Sequence, residues 1–391
     1  MGNPTVPNTV VVLGAGVGGL TAATRLRELL PERDRIILVD RSFDGVQGLS
    51  LLWVLRGWRD AEQVRVRPKP LPGIDMRTAE VRSVDTAARV VHTGTGPIPY
   101  DAVVVALGAG LAPERVPGLS DALATGVAGQ FYGLDGAERL HRQLSRIDSG
   151  RIAVLVAGVP FKCPAAPFEG ALLAADLLRE RGVRDAVTVD AFTPDPLPMP
   201  VAGPAVGRAL VGMLERHGIG FHGNRAVARV DPAARRLEFA DGAGEPFDLL
   251  VVVPPHQAPT AVAGTGLGAA GWIPVDRHTL AAGAPGVWAL GDSSALLLPN
   301  GKPLPKAAVF ARREAEVVAD GVARHLGHDA PEPHFDGLGS CYVEIGGHVA
   351  AKGVGDFFAP GGPEVTLLDP SPGFHEEKQE EERAWLARWN G

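Results

Sequence analysis

The chain has 391 residues, 45% apolar and 21% charged, so it is long enough for roughly two or three domains and reads as globular, neither disordered nor collagenous. A net charge of −7 with no basic block argues against nucleic acid, and no stretch approaches the roughly 20 apolar residues of a spanning helix. Only two cysteines are present, too few for a stapling framework, and MGNPTVPNTVVVLG shows no basic-then-apolar leader, so the cytoplasm is the expected compartment. The first predicted element is a buried strand, TVVVL, running into a G-x-G-x-x-G turn at Gly14, Gly16 and Gly19. A helix, TAATRLRELLPE, and a second strand, RIILVD, ending in Asp40, complete a βαβ unit. Gly14 makes the turn, Gly16 lets backbone approach a pyrophosphate, and Gly19 lets the helix sit close on the strand. The helix N-terminus stabilises phosphate, and Asp40 can accept from a ribose. Arg41 and Val81 are counted with this dinucleotide site.

Further along, the chain repeats itself. VDTAARVV (Val84–Val91) returns as VDPAARRL (Val230–Leu237), and PYDAVVVALG has a counterpart in PFDLLVVVPP. The strand before the first glycine turn reappears as IAVLVAG, with Gly158 matching Gly14. Two successive modules of one plan are the economical explanation. In the second module Pro160 stands for Gly16 and Cys163 for Gly19. Proline has a ring and no N–H, so it can neither approach nor donate to a pyrophosphate, although Pro164 and Pro167 remain compatible with a helix start. A nicotinamide nucleotide is therefore not expected there, and VTVDAF offers no clear acidic end for its ribose. Cys163 precedes a helix and adjoins Lys162, where dipole and charge both favour thiolate; a buried structural cysteine is the alternative reading.

Two more segments carry a resemblance. YDAVVVALGAG (Tyr100–Gly110), with Ala106 and Gly108, is similar to the strand leading out of the FAD domain in two-dinucleotide-domain flavoproteins. GVWALGDSSALLLPNGKPLPKAAVF, with Gly291 and Asp292, resembles their second FAD fingerprint, whose aspartate holds the ribityl chain. Cys341 lies in CYVEIGGHVAAKG, read as a hairpin, and is the one other cysteine sulfur available to pair with Cys163.

With GLSLLWVLRGWR, KCPAAPFE and CYVEIGG added, almost the whole chain resembles the sulfide:quinone oxidoreductases and the flavoprotein subunit of flavocytochrome c sulfide dehydrogenase. The resemblance implies an α/β fold: two Rossmann-like dinucleotide-binding domains, glutathione-reductase-like, plus a C-terminal α+β segment. The expected divisions are 1–112 and 265–328 for the FAD domain, 113–264 for the second domain and 329–391 for a C-terminal segment ending in a short helix. It implies that Cys163 and Cys341 form a redox pair whose disulfide, or a sulfur-bridged form of it, is attacked by sulfide or a small thiol or persulfide. Two electrons would then pass to FAD and on to a quinone or other acceptor. Glu169 matches a family carboxylate near the flavin that could shuttle protons, its alternative being an exposed helix-start acid. Lys306 matches a cation beside the flavin's pyrimidine edge, where charge stabilises the reduced form. Trp53 and Trp58 are expected to pack around the cofactor or in ordinary core.

The chain also departs from the family. Residues 114 to 150 lack the third cysteine that several members carry, and no cysteine follows Asp40 in DRSFDGVQG, so FAD is expected to be non-covalent. The ending FHEEKQEEERAWLARWNG has an apolar patch, Trp385, Leu386 and Trp389, behind an acidic run that anionic headgroups repel. Docking on its own protein or on a second subunit is expected, with membrane contact at most peripheral; a homo-oligomer is compatible with the sequence. Isolated histidines such as His217, His256 and His348 show no ligand spacing, and no metal is expected. Two other functions stay open: a type-II NADH:quinone reductase, which Pro160 and Cys163 disfavour, and a non-catalytic flavin/disulfide redox sensor.

Overall fold

A computed structural model describes residues 6–263, 265–268 and 271–390. Residues 1–5, where a leader was sought, and Gly264, where a domain boundary was expected, lie outside them. Thr9–Leu13, Arg35–Asp40 and Ala102–Val105 are dominated by β-branched residues and leucine and are buried along nearly their whole length. That is the pattern of parallel strands covered on both faces. They form a five-stranded parallel sheet in the order 287–289, 102–105, 9–13, 35–40, 75–78. The edge strand Val287–Ala289 arrives from far along the chain, in register with Val103–Val105.

A second parallel sheet repeats the arrangement, in the order 128–129, 249–253, 150–156, 187–192, 219–222. Each module also carries a three-stranded antiparallel meander, 81–99 and 227–246. The repeated VD-x-AAR turns are alike in detail. Asp85 Oδ1 accepts from Ala87 and Ala88 N–H at 3.0 and 2.8 Å, and Asp231 Oδ1 from Ala233 and Ala234 N–H, both at 3.0 Å. Arg89 and Arg235 then take left-handed φ of 54° and 50°. An aspartate that satisfies two turn amides makes this chain reversal repeatable.

After the long helix Ala308–His325 come three antiparallel strands, Leu338–Gly346, Val349–Asp356 and Glu364–Ser371, and the helix Pro372–Asn390. The terminal helix is longer than the short one expected. Its buried stripe is His375, Lys378, Glu382, Trp385 and Trp389, spaced three and four apart so that all fall on one face. Each tryptophan contributes roughly 4–6 kcal/mol of gross apolar burial before ordering entropy is charged against it. Arg59 pairs with Glu382 at 2.8 Å, and the Asn390 side chain bonds the backbone at Arg65 and Arg67. The helix thus docks on its own chain. No helix among the described residues is long and apolar enough to cross a membrane.

Candidate functional site

The first glycine turn leaves room where a phosphate needs it and nowhere else. A Cβ on Gly14, whose φ is +95°, would lie 2.5 Å from the Ala106 carbonyl oxygen, and one on Gly19 would lie 1.8 Å from the Gly14 carbonyl oxygen. A Cβ on Gly16 would meet nothing within 4 Å. The open position is the one at which a pyrophosphate must approach backbone, at the start of the Val17–Leu29 helix. Asp40 Oδ2 accepts from Ala15 N–H at 2.8 Å and Oδ1 from Ser42 and Phe43 N–H, so this carboxylate also shapes the turn itself. Arg41 beside it is exposed, and Val81 opens the first meander.

The distant fingerprint folds onto the same turn. A Cβ on Gly18 would lie 2.2 Å from the Leu290 side chain, and Ser293 donates to the Gly108 carbonyl at 3.1 Å. Gly291, at φ +62°, donates its N–H to Glu314 at 2.6 Å. Burial pushes the Glu314 carboxyl up to about 7 and raises Asp292, which Lys162 and Lys306 partly oppose. Lys306 donates to the carbonyls of Asp292 and Ser294 at 2.8 and 2.9 Å, with its Nζ 3.7 Å from the centre of the Trp272 ring. Burial brings this ammonium down to about 8. Lys306 is therefore a half-buried cation next to the fingerprint aspartate, not a solvated surface lysine.

In the second module the strand Gly150–Val156 leads to Gly158, packed against Pro255, and then to Pro160 and Cys163. Cys163 holds a left-handed φ of 57°, which costs a non-glycine residue on the order of 1 kcal/mol or more. Two backbone bonds hold it there: its N–H donates to the Lys306 carbonyl at 2.7 Å, and its carbonyl accepts from Ala166 N–H at 2.9 Å. The altered turn is thereby stitched to the cation beside the FAD fingerprint.

Across from it, the strand Leu338–Gly346 presents Cys341, which shares a cavity wall with Phe161 and Pro164 on either side of Cys163 and gives its thiol to the Tyr342 carbonyl at 3.6 Å. Both cysteines are free. The expected thiolate at Cys163 is corrected here. The neighbouring Cys341, together with burial, pushes the Cys163 thiol well up, while the neighbouring Cys163 holds Cys341 below the usual thiol range. The reason is geometric: Lys162 turns its Nζ over the Tyr132 ring, 5.7 Å from its centre, so the pair itself decides which sulfur keeps the proton.

Cys341 lies in the wall of a cavity of 510 Å³ that is lined by Phe161, Phe168, Trp272, Phe310 and Phe357 and also reaches Lys306. Four of the chain's exposed large hydrophobics stand in or next to its lining: Val159, Leu297, Leu338 and Val354.

Glu169 is not an exposed helix-start acid. It is 2% exposed in the first turn of Ala166–Glu180, and its carboxylate meets Lys378 Nζ at 2.5 Å. Burial raises its pKa against the pull of Lys378. Lys378 is also 3.6 Å from Glu344, which accepts from His375 Nδ1 and from Trp53 Nε1, each at 3.0 Å. Trp53 and Trp58 thus pack against the hairpin and terminal helix, the core setting of the two expected: Trp58 stacks on His348 with ring centres 4.4 Å apart. Sequence reading missed Lys378, Glu344 and His375. The signal was the spacing of three and four residues through HEEKQEEERAWLARW, hidden because the buried positions are polar. No cluster of three or more metal-ligating side chains occurs among the described residues.

Two glycine-turn modules, the distant Gly-Asp fingerprint and a cysteine pair define a two-dinucleotide-domain flavoprotein. The chain belongs to the pyridine nucleotide-disulphide oxidoreductase family, whose profile matches residues 8–315. It is similar to the mitochondrial sulfide:quinone oxidoreductase of Mus musculus, 25% identical over 357 residues that cover 86% of this chain and 75% of the mouse protein. The mitochondrial sulfide:quinone oxidoreductase of Dictyostelium discoideum is 26% identical over 349 residues, covering 85% of this chain and 74% of that one. Its fold is that of the sulfide:quinone oxidoreductase from Aquifex aeolicus, with a TM-score of 0.86 at 22% identity over 97% of this chain and 91% of that one. The chain is an FAD-dependent oxidoreductase of this sulfide:quinone oxidoreductase-like kind.

Proposed function

We propose that this enzyme oxidises sulfide, or a small persulfide, at the Cys163/Cys341 pair and delivers the electrons to a quinone. The observation that carries the reading is two free cysteines, one on a turn whose phosphate cradle is gone and the other in the cavity wall that this turn helps to form. Gly14, Gly16, Gly19, Asp40, Ala106, Gly108, Gly291, Asp292 and Lys306, with Arg41 and Val81 at the ribose end, are assigned to hold non-covalent FAD. Bound FAD supplies a two-electron acceptor for the sulfur half and a donor for the quinone half. In the oxidised pair, hydrosulfide attacks one sulfur; an S–S bond forms to it as the Cys–Cys bond breaks, leaving a persulfide and a thiolate. The aromatic-lined cavity suits a quinone ring, and its apolar rim supports at most peripheral membrane contact of a cytoplasmic protein.

A nicotinamide reductase is disfavoured by Pro160, which occupies the phosphate position without an N–H to donate. Anaerobic sulfide should bleach the oxidised-flavin band at ~450 nm. Cys163→Ser and Cys341→Ser should each abolish bleaching while retaining FAD. Bleaching of either variant at the wild-type rate, or faster reduction by NADH than by sulfide, would overturn the assignment.

A further inference from the structure

We propose that Gly353 is the specificity-determining position of the aromatic-lined cavity, a strand glycine kept bare so that a substituted quinone ring can lie beside Cys341; the inference rests on the quinone reading above. Gly353 lies in Val349–Asp356, the middle strand of the C-terminal sheet, and its cross-strand partners are Cys341 on one side and Leu367 on the other. Directly paired residues of an antiparallel sheet point to the same face, and residues two apart along a strand share it. Gly339, Cys341, Gly353 and Gly355 therefore form one patch, and all four stand in the cavity wall. The opposite face carries Tyr342 and Lys352, which reach Glu377 of the terminal helix at 3.2 and 2.5 Å.

Three positions of that patch lack a side chain, and the protein's own packing explains two of them. A Cβ on Gly339 would lie 2.4 Å from the Phe310 ring, and one on Gly355 would lie 2.8 Å from the Val365 side chain. A Cβ on Gly353 would find no atom nearer than the Cys341 carbonyl oxygen at 3.8 Å and the Leu367 side chain at 4.0 Å, which is ordinary contact. Nor is its φ left-handed, so the backbone does not call for glycine either. Glycine inside a strand weakens it, because the unfolded chain loses the most freedom there and no side chain is packed in return. Such a residue, required by neither backbone nor packing, marks a place where a ligand approaches the strand closely. The walls fit a flat apolar ring: Phe161, Phe168, Trp272, Phe310 and Phe357 surround 510 Å³ of space. Hydrosulfide, with a single heavy atom, needs no such clearance, whereas a ring bearing methyl and alkyl groups does.

The test uses full-length, FAD-loaded protein carrying Gly353→Ala or Gly353→Val, with a methyl- and decyl-substituted para-benzoquinone and unsubstituted para-benzoquinone as probes. Valine is at home in a strand, so both variants should keep full FAD content and a thermal midpoint no lower than the wild type's. In equilibrium dialysis against the oxidised enzyme, which cannot reduce a quinone, valine should weaken binding of the substituted probe at least about tenfold and alanine less, with the unsubstituted probe changed at most about threefold. Re-oxidation of the sulfide-reduced enzyme should show a raised KM for the substituted probe in the same order, with kcat little changed. The loss should fall on re-oxidation far more than on sulfide bleaching. A Gly353→Val enzyme that binds the substituted probe as tightly as the wild type, or that is slowed as much in sulfide bleaching, sinks the inference alone. A thermal midpoint lowered in both variants also sinks it, because the space would then be one the fold requires empty. A wild type that sulfide reduces but that neither probe binds or re-oxidises sinks the quinone reading and the inference with it.

Discussion

Cys163 and Cys341 are chemically unequal, and their inequality is local. Cys341 is acidified first by its neighbour Cys163, against the opposing effect of burial. A depressed thiol pKa means thiolate persists to lower pH than in a free cysteine, so alkylation of Cys341 in the reduced protein should begin at lower pH than that of a model thiol. Cys163→Ala removes that neighbour, and the iodoacetamide rate profile of Cys341 should shift to higher pH. A profile unmoved by that substitution would place the cause elsewhere than in the pair. The lysine next in sequence gave the wrong expectation here because adjacency along the chain does not say where a flexible side chain turns.

The glycine turn offers a test at the scale of one element. Gly16→Ala adds a methyl to open space, so the apoprotein should keep its thermal midpoint while FAD retention falls at least about tenfold, since the methyl intrudes where phosphate approaches backbone. Gly19→Ala drives a Cβ into the Gly14 carbonyl and should destabilise the fold itself by about 2 kcal/mol or more. Thermal melts beside flavin content of the purified proteins distinguish the two. These elements were legible because each glycine answers a steric demand that only glycine meets, and because a repeated VD-x-AAR turn marks the second module. The terminal helix was half legible. Trp385 and Trp389 showed an apolar patch, but His375, Lys378 and Glu382 continue the same stripe with polar groups, and hydrophobic periodicity cannot see a buried salt bridge. The polar partners of Trp53 and Trp58 stayed hidden for the same reason: Glu344 and His348 lie nearly 300 residues away in a hairpin that nothing nearby announces.

Over the whole molecule, the Glu169–Lys378 pair ties the C-terminal helix to the second module across 209 residues of chain. Lys378→Met leaves Glu169 and Glu344 buried without their ammonium and should cost about 3–5 kcal/mol in denaturant unfolding, a loss far above that of a surface pair. Pairing it with Glu169→Gln should recover a large part, because the stranded charge is then removed too. Additive losses in that double variant would show that the two residues act independently.

The sheet order carries a further consequence for how the protein is made. Val287–Ala289 closes the first sheet beside Ala102–Val105 and brings Gly291 and Asp292 with it, whereas all five strands of the second sheet lie between Ala128 and Val253. On the ribosome the middle of the chain therefore completes its sheet first, while the amino-terminal module waits, open at one edge, for a strand not yet synthesised. The residues assigned to the coenzyme are complete only once Gly291 and Asp292 have been made, well after the second sheet is closed.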